Sequence, residues 1–460
     1  MYNSRFVTIY NSLNKEEKRQ FKKFYSSGFV IKYREVLGIF KYIETRKNVT
    51  KLSLDKNRVF EYIFPNNEYN DTYMRQLIFQ ASKVIESFIV FKQAYENDIL
   101  KDVLLSEYYV KKELLKDAQN KITDTIDNVK ENTVKNANHY FDLFRLNRIL
   151  YDIQAKDNRS GDFNINEVIV NLNTFVIIEV LKYSTRLMSI KEITATKAKN
   201  ILLKHILKLI EEDDTLIEIP QIRIYYNIYR IHTDGVESMY QDFLEDVKKH
   251  EQLFDEHDLN ELYRLAINFC IRMVNSNNER YYAILYDLYI YTIEQKLLLE
   301  NDEISRFTFT NIITVLIKLK RYTDAEDFII KYEYLLNKEY KENTIDFNRA
   351  KILYELEDYS AALDILNTSV LKDVLWNLNA KNLQLKILYE MNELDWYQSQ
   401  LNAFIAYVNR QKDIGYHKEY FTKIYKAHKK LIQLRGDKVK EKFTEETPQF
   451  DWFNKVIDSK

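Results

Sequence analysis

Six glycines and three prolines in 460 residues are the feature that most limits what this chain can fold into. Average usage would supply roughly 32 and 23 of them. Tight turns draw on glycine for positive φ and on proline for a preset φ, so few hairpins or βα loops can be built from this sequence. Long helices joined by short polar connections remain, and the expected fold class is all-α.

The same scarcity removes whole classes of chemistry. Loops that cradle phosphate need several glycines within one short stretch, because only bare backbone approaches the phosphates closely. Here Gly28, Gly38, Gly161, Gly235, Gly415 and Gly436 are scattered singly, which excludes a P-loop or a dinucleotide fingerprint. The one cysteine, Cys270, allows no intramolecular disulfide and sits in an apolar helical run (Leu265 to Ile271), where a small buried side chain is expected. None of the seven histidines has a second His or Cys at metal-ligand spacing. The acidic run Glu211-Glu212-Asp213-Asp214 reads as a polar connection with Asp214 as a cap. No catalytic residue, cofactor or metal is therefore expected.

The segment Met1 to Arg5 leads into no apolar core of signal-peptide length, and the most apolar stretch, Thr174 to Leu181, is broken by Glu179. No membrane partner is expected, and the expected location is the cytoplasm, where the sequon Asn48-Val49-Thr50 has no meaning. Net charge is −1, but unevenly spread: residues 1–60 carry 14 Lys/Arg against 5 Asp/Glu, residues 205–305 carry 9 against 21, and residues 409–443 carry 11 against 4. Such asymmetry speaks to association more than to fold.

Helical periodicity runs through most of the chain. Asn14-Lys15-Glu16-Glu17 has the form of a capping box. The helix it opens carries Phe21, Phe24 and Tyr25 on one side and Lys18, Arg19, Lys22 and Lys23 on much of the rest, with Lys32 and Arg34 further on. A helix through Val59, Phe60 and Ile63 should stop before Pro65. Asn70 or Asp71 should cap a long helix with Met74, Leu77, Ile78, Ala81, Val84, Ile85 and Phe88 on one stripe. Ile201, Leu202, His205, Ile206 and Ile210 form another apolar face, on which His205 would be a satisfied core histidine. Thr447-Pro448 reads as the start of a last helix, with Phe450, Phe453, Val456 and Ile457 as its apolar face.

Residues 306–400 repeat. Ile313, Leu316, Leu319, Tyr322, Ala325, Phe328 and Ile329 recur 37 positions later as Ala350, Leu353, Leu356, Tyr359, Ala362, Ile365 and Leu366. Each copy reads as helix, polar turn, helix, and Thr323-Asp324-Ala325-Glu326 is expected to cap the second helix of the first copy. A degraded third copy follows with Leu388, Met391 and Leu394, where Tyr397 replaces the small alanine. Such a unit cannot bury its apolar face alone, so units must stack.

Tyr322/Ala325/Ile329 and Tyr359/Ala362/Leu366 resemble the tetratricopeptide repeat, although the helix-A glycine and closing proline of that family are absent and the period exceeds 34. The whole chain also resembles an uncharacterised family of bacterial helical-repeat proteins. The matching segments are Asn14-Lys15-Glu16-Glu17-Lys18 through Phe24, Ile63-Phe64-Pro65 through Asp71, Asn268 through Arg272, and Asp373-Val374 through Leu378. That likeness bears on the fold and is silent on function. Together they imply an N-terminal helical domain (1–96), an irregular helical-hairpin array (97–305), tetratricopeptide-like repeats (306–435), and a polar linker with a capping helix (436–460). From residue 97 onward the architecture would be a right-handed α-solenoid.

The tetratricopeptide likeness further implies ligand-facing positions on the first helix of each copy. In the second copy these are Thr344, Phe347, Lys351 and Tyr354, and in the third Asn379, Asn382, Lys386 and Tyr389. Lys351 with Lys386, and Tyr354 with Tyr389, would form an exposed Lys/Tyr ladder suited to an extended peptide with acidic and apolar side chains. The first copy breaks it with Thr314 and Ile317, and the family's carboxylate clamp is missing at Thr310 and Thr314. The expected function is a non-catalytic scaffold binding a protein or peptide in a concave groove. The alternative is a nucleic-acid-binding regulator using Lys18, Arg19, Lys22 and Lys23, with the helical array as sensor.

Overall fold

The computed structural model describes residues 1–28, 34–46, 50–132, 134–157, 163–193, 197–235, 237–368, 373–411, 415, 417–434 and 442–459. It is 78% helical, with 22 α-helices and one two-stranded antiparallel pair among the described residues, so the chain is all-α. No described helix is long and apolar enough to cross a membrane. Lys32, Asn48, Val49, Gly161 and Gly436 lie outside the described residues. The chain divides into two units, residues 1–187 with 197–225 and residues 188–196 with 226–460.

The first unit opens with α1 (Arg5–Ser12), α2 (Lys15–Ser26), α3 (Val36–Glu44), α4 (Lys56–Ile63) and α5 (Asp71–Glu96). Asn14 and Glu17 form the expected capping box, Asn70 caps α5, and α4 ends at Ile63 ahead of Pro65. The core here is aromatic: Phe21 lies 5.1 Å from Phe40 and 5.4 Å from Phe88, centroid to centroid. Gly38 is needed for contact, since a Cβ there would stand 2.8 Å from Cγ1 of Ile63.

Next come α6 (Asp98–Lys111), α7 (Leu115–Lys130), α8 (Ala137–Asp157), α9 (Ile165–Ile193), α10 (Leu203–Glu212) and α11 (Pro220–Asp234), of which α9 and α11 each run across the division between units. Successive helices α6, α7 and α8 pack on each other around Ala118, Ile122, Leu146 and Ile153. One expected stripe is corrected. Ile206 and Ile210 are buried, but Ile201 is 83% exposed and His205 is also exposed. The helix starts only at Leu203, so residues before it do not continue its face, and His205 is a surface side chain. Asp213, one residue before the expected Asp214, makes the cap after α10.

The second unit contains α12 (Met239–Lys249), α13 (Glu256–Asn275) and α14 (Arg280–Glu294), then strands β1 (Leu299–Glu300) and β2 (Glu303–Ile304). Asn301 and Asp302 turn the strands with φ of 54° and 61°, the double positive φ of a type I′ hairpin made without glycine. The remaining helices are α15 (Arg306–Lys318), α16 (Tyr322–Tyr332), α17 (Lys341–Glu355), α18 (Tyr359–Thr368), α19 (Val374–Glu390), α20 (Leu394–Arg410), α21 (His417–Gln433) and α22 (Phe450–Ser459). Pairs α13/α14, α15/α16, α17/α18 and α19/α20 pack as antiparallel neighbours, and α17 also packs on both α15 and α19.

The turns inside all four pairs are the same structure: in the first, Asn277 has φ of 62° and the next N–H, of Asn278, donates back to Met273. Lys320, Glu357 and Asn392 have φ of 58°, 61° and 63°. In each case the next N–H donates back five residues, Arg321 to Leu316, Asp358 to Leu353 and Glu393 to Leu388, which is a Schellman closure of the preceding helix. Ala325, Ala350 and Ala362 have no exposed surface. Two local expectations are corrected. The helix after Lys320 begins at Tyr322 with no side-chain cap, so Thr323 lies inside it and Asp324 pairs with Arg321 instead of belonging to a capping box. Thr447-Pro448 form a turn, Gln449 has φ of 61°, and α22 starts at Phe450.

Candidate functional site

The side-by-side helices α15, α17 and α19 make one wall of the second unit, and polar side chains tie them in register. Asn348 Nδ2 donates to Thr310 Oγ1 at 2.9 Å, and Lys351 Nζ donates to Thr314 Oγ1. The broken first rung, Thr314, is thus where Lys351 lands. Arg306 on α15 pairs with Asp373, the cap of α19, at 2.8 Å.

The candidate binding residues all lie on this wall, at different depths. Phe347 is buried against Trp376, ring centroids 5.1 Å apart. Lys351 and Lys386 are half-buried on its floor. Tyr354 is half-buried and accepts a hydrogen bond from Trp452 Nε1 at 2.7 Å. Asn382 and Tyr389 are buried, the latter between the rings of Tyr397 and Trp452. The expected exposure of the ladder is therefore corrected: Tyr389 is core. The reason is α22, whose Trp452 covers this end of the wall and places its ring 5.0 Å from Lys386 Nζ.

Trp452, Gln449, His428 and Lys318 also belong to this wall, although no spacing in the sequence points to them. Of the expected apolar face of α22, Phe453, Val456 and Ile457 are buried and Phe450 is half-buried, which leaves Trp452 on a neighbouring face, over the wall. Asn382 donates to Gln449 Oε1 at 3.1 Å and its Oδ1 meets His428 Nε2 at 3.0 Å, while Tyr397 OH meets His428 Nδ1 at 2.8 Å. With Asn382 offering its carbonyl, the imidazole donates from Nε2 and accepts at Nδ1. It has no exposed surface, and burial with the nearby charge of Lys386 pushes its pKa down to about 3. His428 is a neutral packing residue.

The lysines are the unusual groups. Burial pushes Lys351 and Lys386 down to about 8, with Lys318 adding repulsion at both and Lys351 adding it at Lys386. Glu355 and Glu390 offset this in part, yet among the described residues no carboxylate stands at ion-pair distance from either ammonium. Each keeps some surface in contact with water.

In the second unit an open cavity of about 670 Å³ is lined by Arg264, Arg306, Phe307 and Tyr340, but Arg264 pairs with Glu300 and Arg306 with Asp373. Asp255, His257 and Asp258 lie close together, with Asp255 used as the cap of α13. Cys270 is buried against Tyr240 OH, and burial pushes its thiol up to about 12, far from a reactive thiolate. In the first unit, Lys18 lies over the Tyr10 ring, Arg19 pairs with Glu16 and Lys22 with Glu44, and Lys23 is exposed. Neither a protein-family model, nor a curated protein, nor a solved structure matches this chain.

Proposed function

We propose that the chain is a non-catalytic scaffold that holds a protein or peptide partner along the wall of α15, α17 and α19, its helical pairs forming a tetratricopeptide-like solenoid. The observation that carries this reading is the wall itself. Three first helices lie in register, with Lys351, Tyr354, Lys386 and Trp452 gathered at one place, and large aromatic and cationic side chains are what interfaces favour. The recurring Schellman turns at Lys320, Glu357 and Asn392 support the repeat reading. Nucleic-acid binding through α2 has less support, because Arg19 and Lys22 already face carboxylates.

Site-specific photocrosslinking in native cytosol tests the proposal. A photoreactive residue at Asn379, exposed on α19, is expected to capture a discrete protein partner. The same group at Lys208, exposed on α10, serves as the control. Capture from Lys208 with none from Asn379 would move binding off the wall.

A further inference from the structure

Lys351 and Lys386 sit on adjacent helices, both half-buried on the floor of the wall, Lys351 bonded to Thr314 of α15 and Lys386 beside the Trp452 ring, both lacking an ion pair among the described residues, with Lys318 of α15 near enough to repel both. Removing an ammonium from water without a counter-charge is costly, and placing two within mutual repulsion adds to the cost. What each ammonium receives in return is small: Lys351 makes one hydrogen bond, to Thr314, and Lys386 stands over the ring of Trp452. Positions that are unfavourable for folding yet built into a rigid surface are the mark of a binding site.

We propose that Lys318, Lys351 and Lys386 form a carboxylate-binding row that takes an extended acidic peptide segment, with Tyr354 and Trp452 as the apolar wall beside it. The proposal rests on the scaffold reading and names the chemistry of the partner. Lys351 spends one of its three protons on Thr314, so it and Lys386 retain donors for an anion. Adjacent packed helices stand about 8–10 Å apart, and an extended chain in the polyproline II conformation repeats every three residues and advances about 3.1 Å per residue, so acidic side chains three residues apart would lie on one side and meet successive lysines. The indole N–H of Trp452 is occupied by Tyr354 and its ring borders Lys386, Tyr389 and His428; the part of the half-buried ring that still meets solvent would pack against aliphatic or aromatic neighbours of the acids. Glu355 and Glu390 lie near enough to be felt at the lysines. They disfavour the continuous charge of a nucleic-acid backbone more than spaced carboxylates.

The test uses the full chain and octaglutamate as probe, by titration calorimetry at low salt near pH 8. Octaglutamate is expected to bind with proton uptake, seen as a heat that depends on the buffer's ionisation enthalpy, because an anion draws protons onto partly neutral lysines. The charged and titratable groups that face these two lysines are Lys318, Glu355, Glu390 and His428. Lys351→Met with Lys386→Met should lower affinity at least ~10-fold and abolish the uptake. The double variant should melt at the same temperature as the parent or a few degrees higher, which a merely structural lysine pair would not do.

No octaglutamate binding overturns the proposal, and so does binding that the double variant retains. Octathymidylate bound through these lysines in preference to octaglutamate would also overturn it, in favour of nucleic acid. Crosslinks from Asn379 with octaglutamate silent would reject this site and keep the scaffold. Octaglutamate bound with no crosslinked partner would do the reverse.

Discussion

Ala362 has no exposed surface, and its single methyl lets the second helix of its pair approach the first. Ala362→Leu adds three carbons to a filled space and is expected to destabilise the second unit by ~1–3 kcal/mol. Thermal melting measures this, and an unchanged melting temperature would mean that the helices do not cross there. The position was legible in the sequence because a small residue recurs at a fixed offset among large apolar ones, which is the pattern that close helix crossing demands. Tyr389 shows the opposite case. Its spacing fits a groove-facing side chain as well as a buried one, and what decides is Trp452, which also donates to Tyr354 from 98 residues away. Periodicity carries no information on contacts of that separation. His205 was misplaced for a related reason: the stripe was real at Ile206 and Ile210, but where the helix began was not encoded in the apolar pattern.

At the level of elements, scarcity of glycine identified the helices but not how they end. Glu113, Asn277, Lys296, Lys320, Glu357 and Asn392 all adopt positive φ after a helix, where glycine is the usual occupant. A side chain in that conformation costs on the order of 1 kcal/mol, tolerated six times over because each closure satisfies terminal carbonyls. Glu357 is exposed, so Glu357→Gly loses no packing there and should raise stability by about 0.5–1 kcal/mol. Urea denaturation gives the measurement, and a loss of stability would show that the Glu357 side chain holds the turn by a contact of its own. Capping was legible where the side chain is the device, as at Asn14 and Asn70, and illegible where the backbone is, as at Lys320, which displaced the expected cap at Thr323.

Across the molecule, burial of neutral histidines sets an acid limit on stability; burial lowers His139 in the first unit, and the two that fall furthest are in the second. His232 is held at about 4, by burial and then by the charge of Arg272, and His428 at about 3. In the unfolded chain both would titrate near 6.5. Between about pH 4 and 6.5 the unfolded state therefore binds protons that the folded state refuses, so stability rises with pH through that window and is lost as the solution is acidified. Two such groups give a slope of up to about 2.7 kcal/mol per pH unit at the acid end of the window. All three tryptophans, Trp376, Trp396 and Trp452, belong to the second unit, so their fluorescence follows its unfolding separately from the first. Denaturation followed this way at pH 7, 6 and 5 is expected to show falling stability, and His428→Gln should flatten the dependence by about half while lowering stability at pH 7 through lost packing against Trp452 and Phe453. An unaltered slope in that variant would place the titrating group elsewhere and return His428 to a partly hydrated setting.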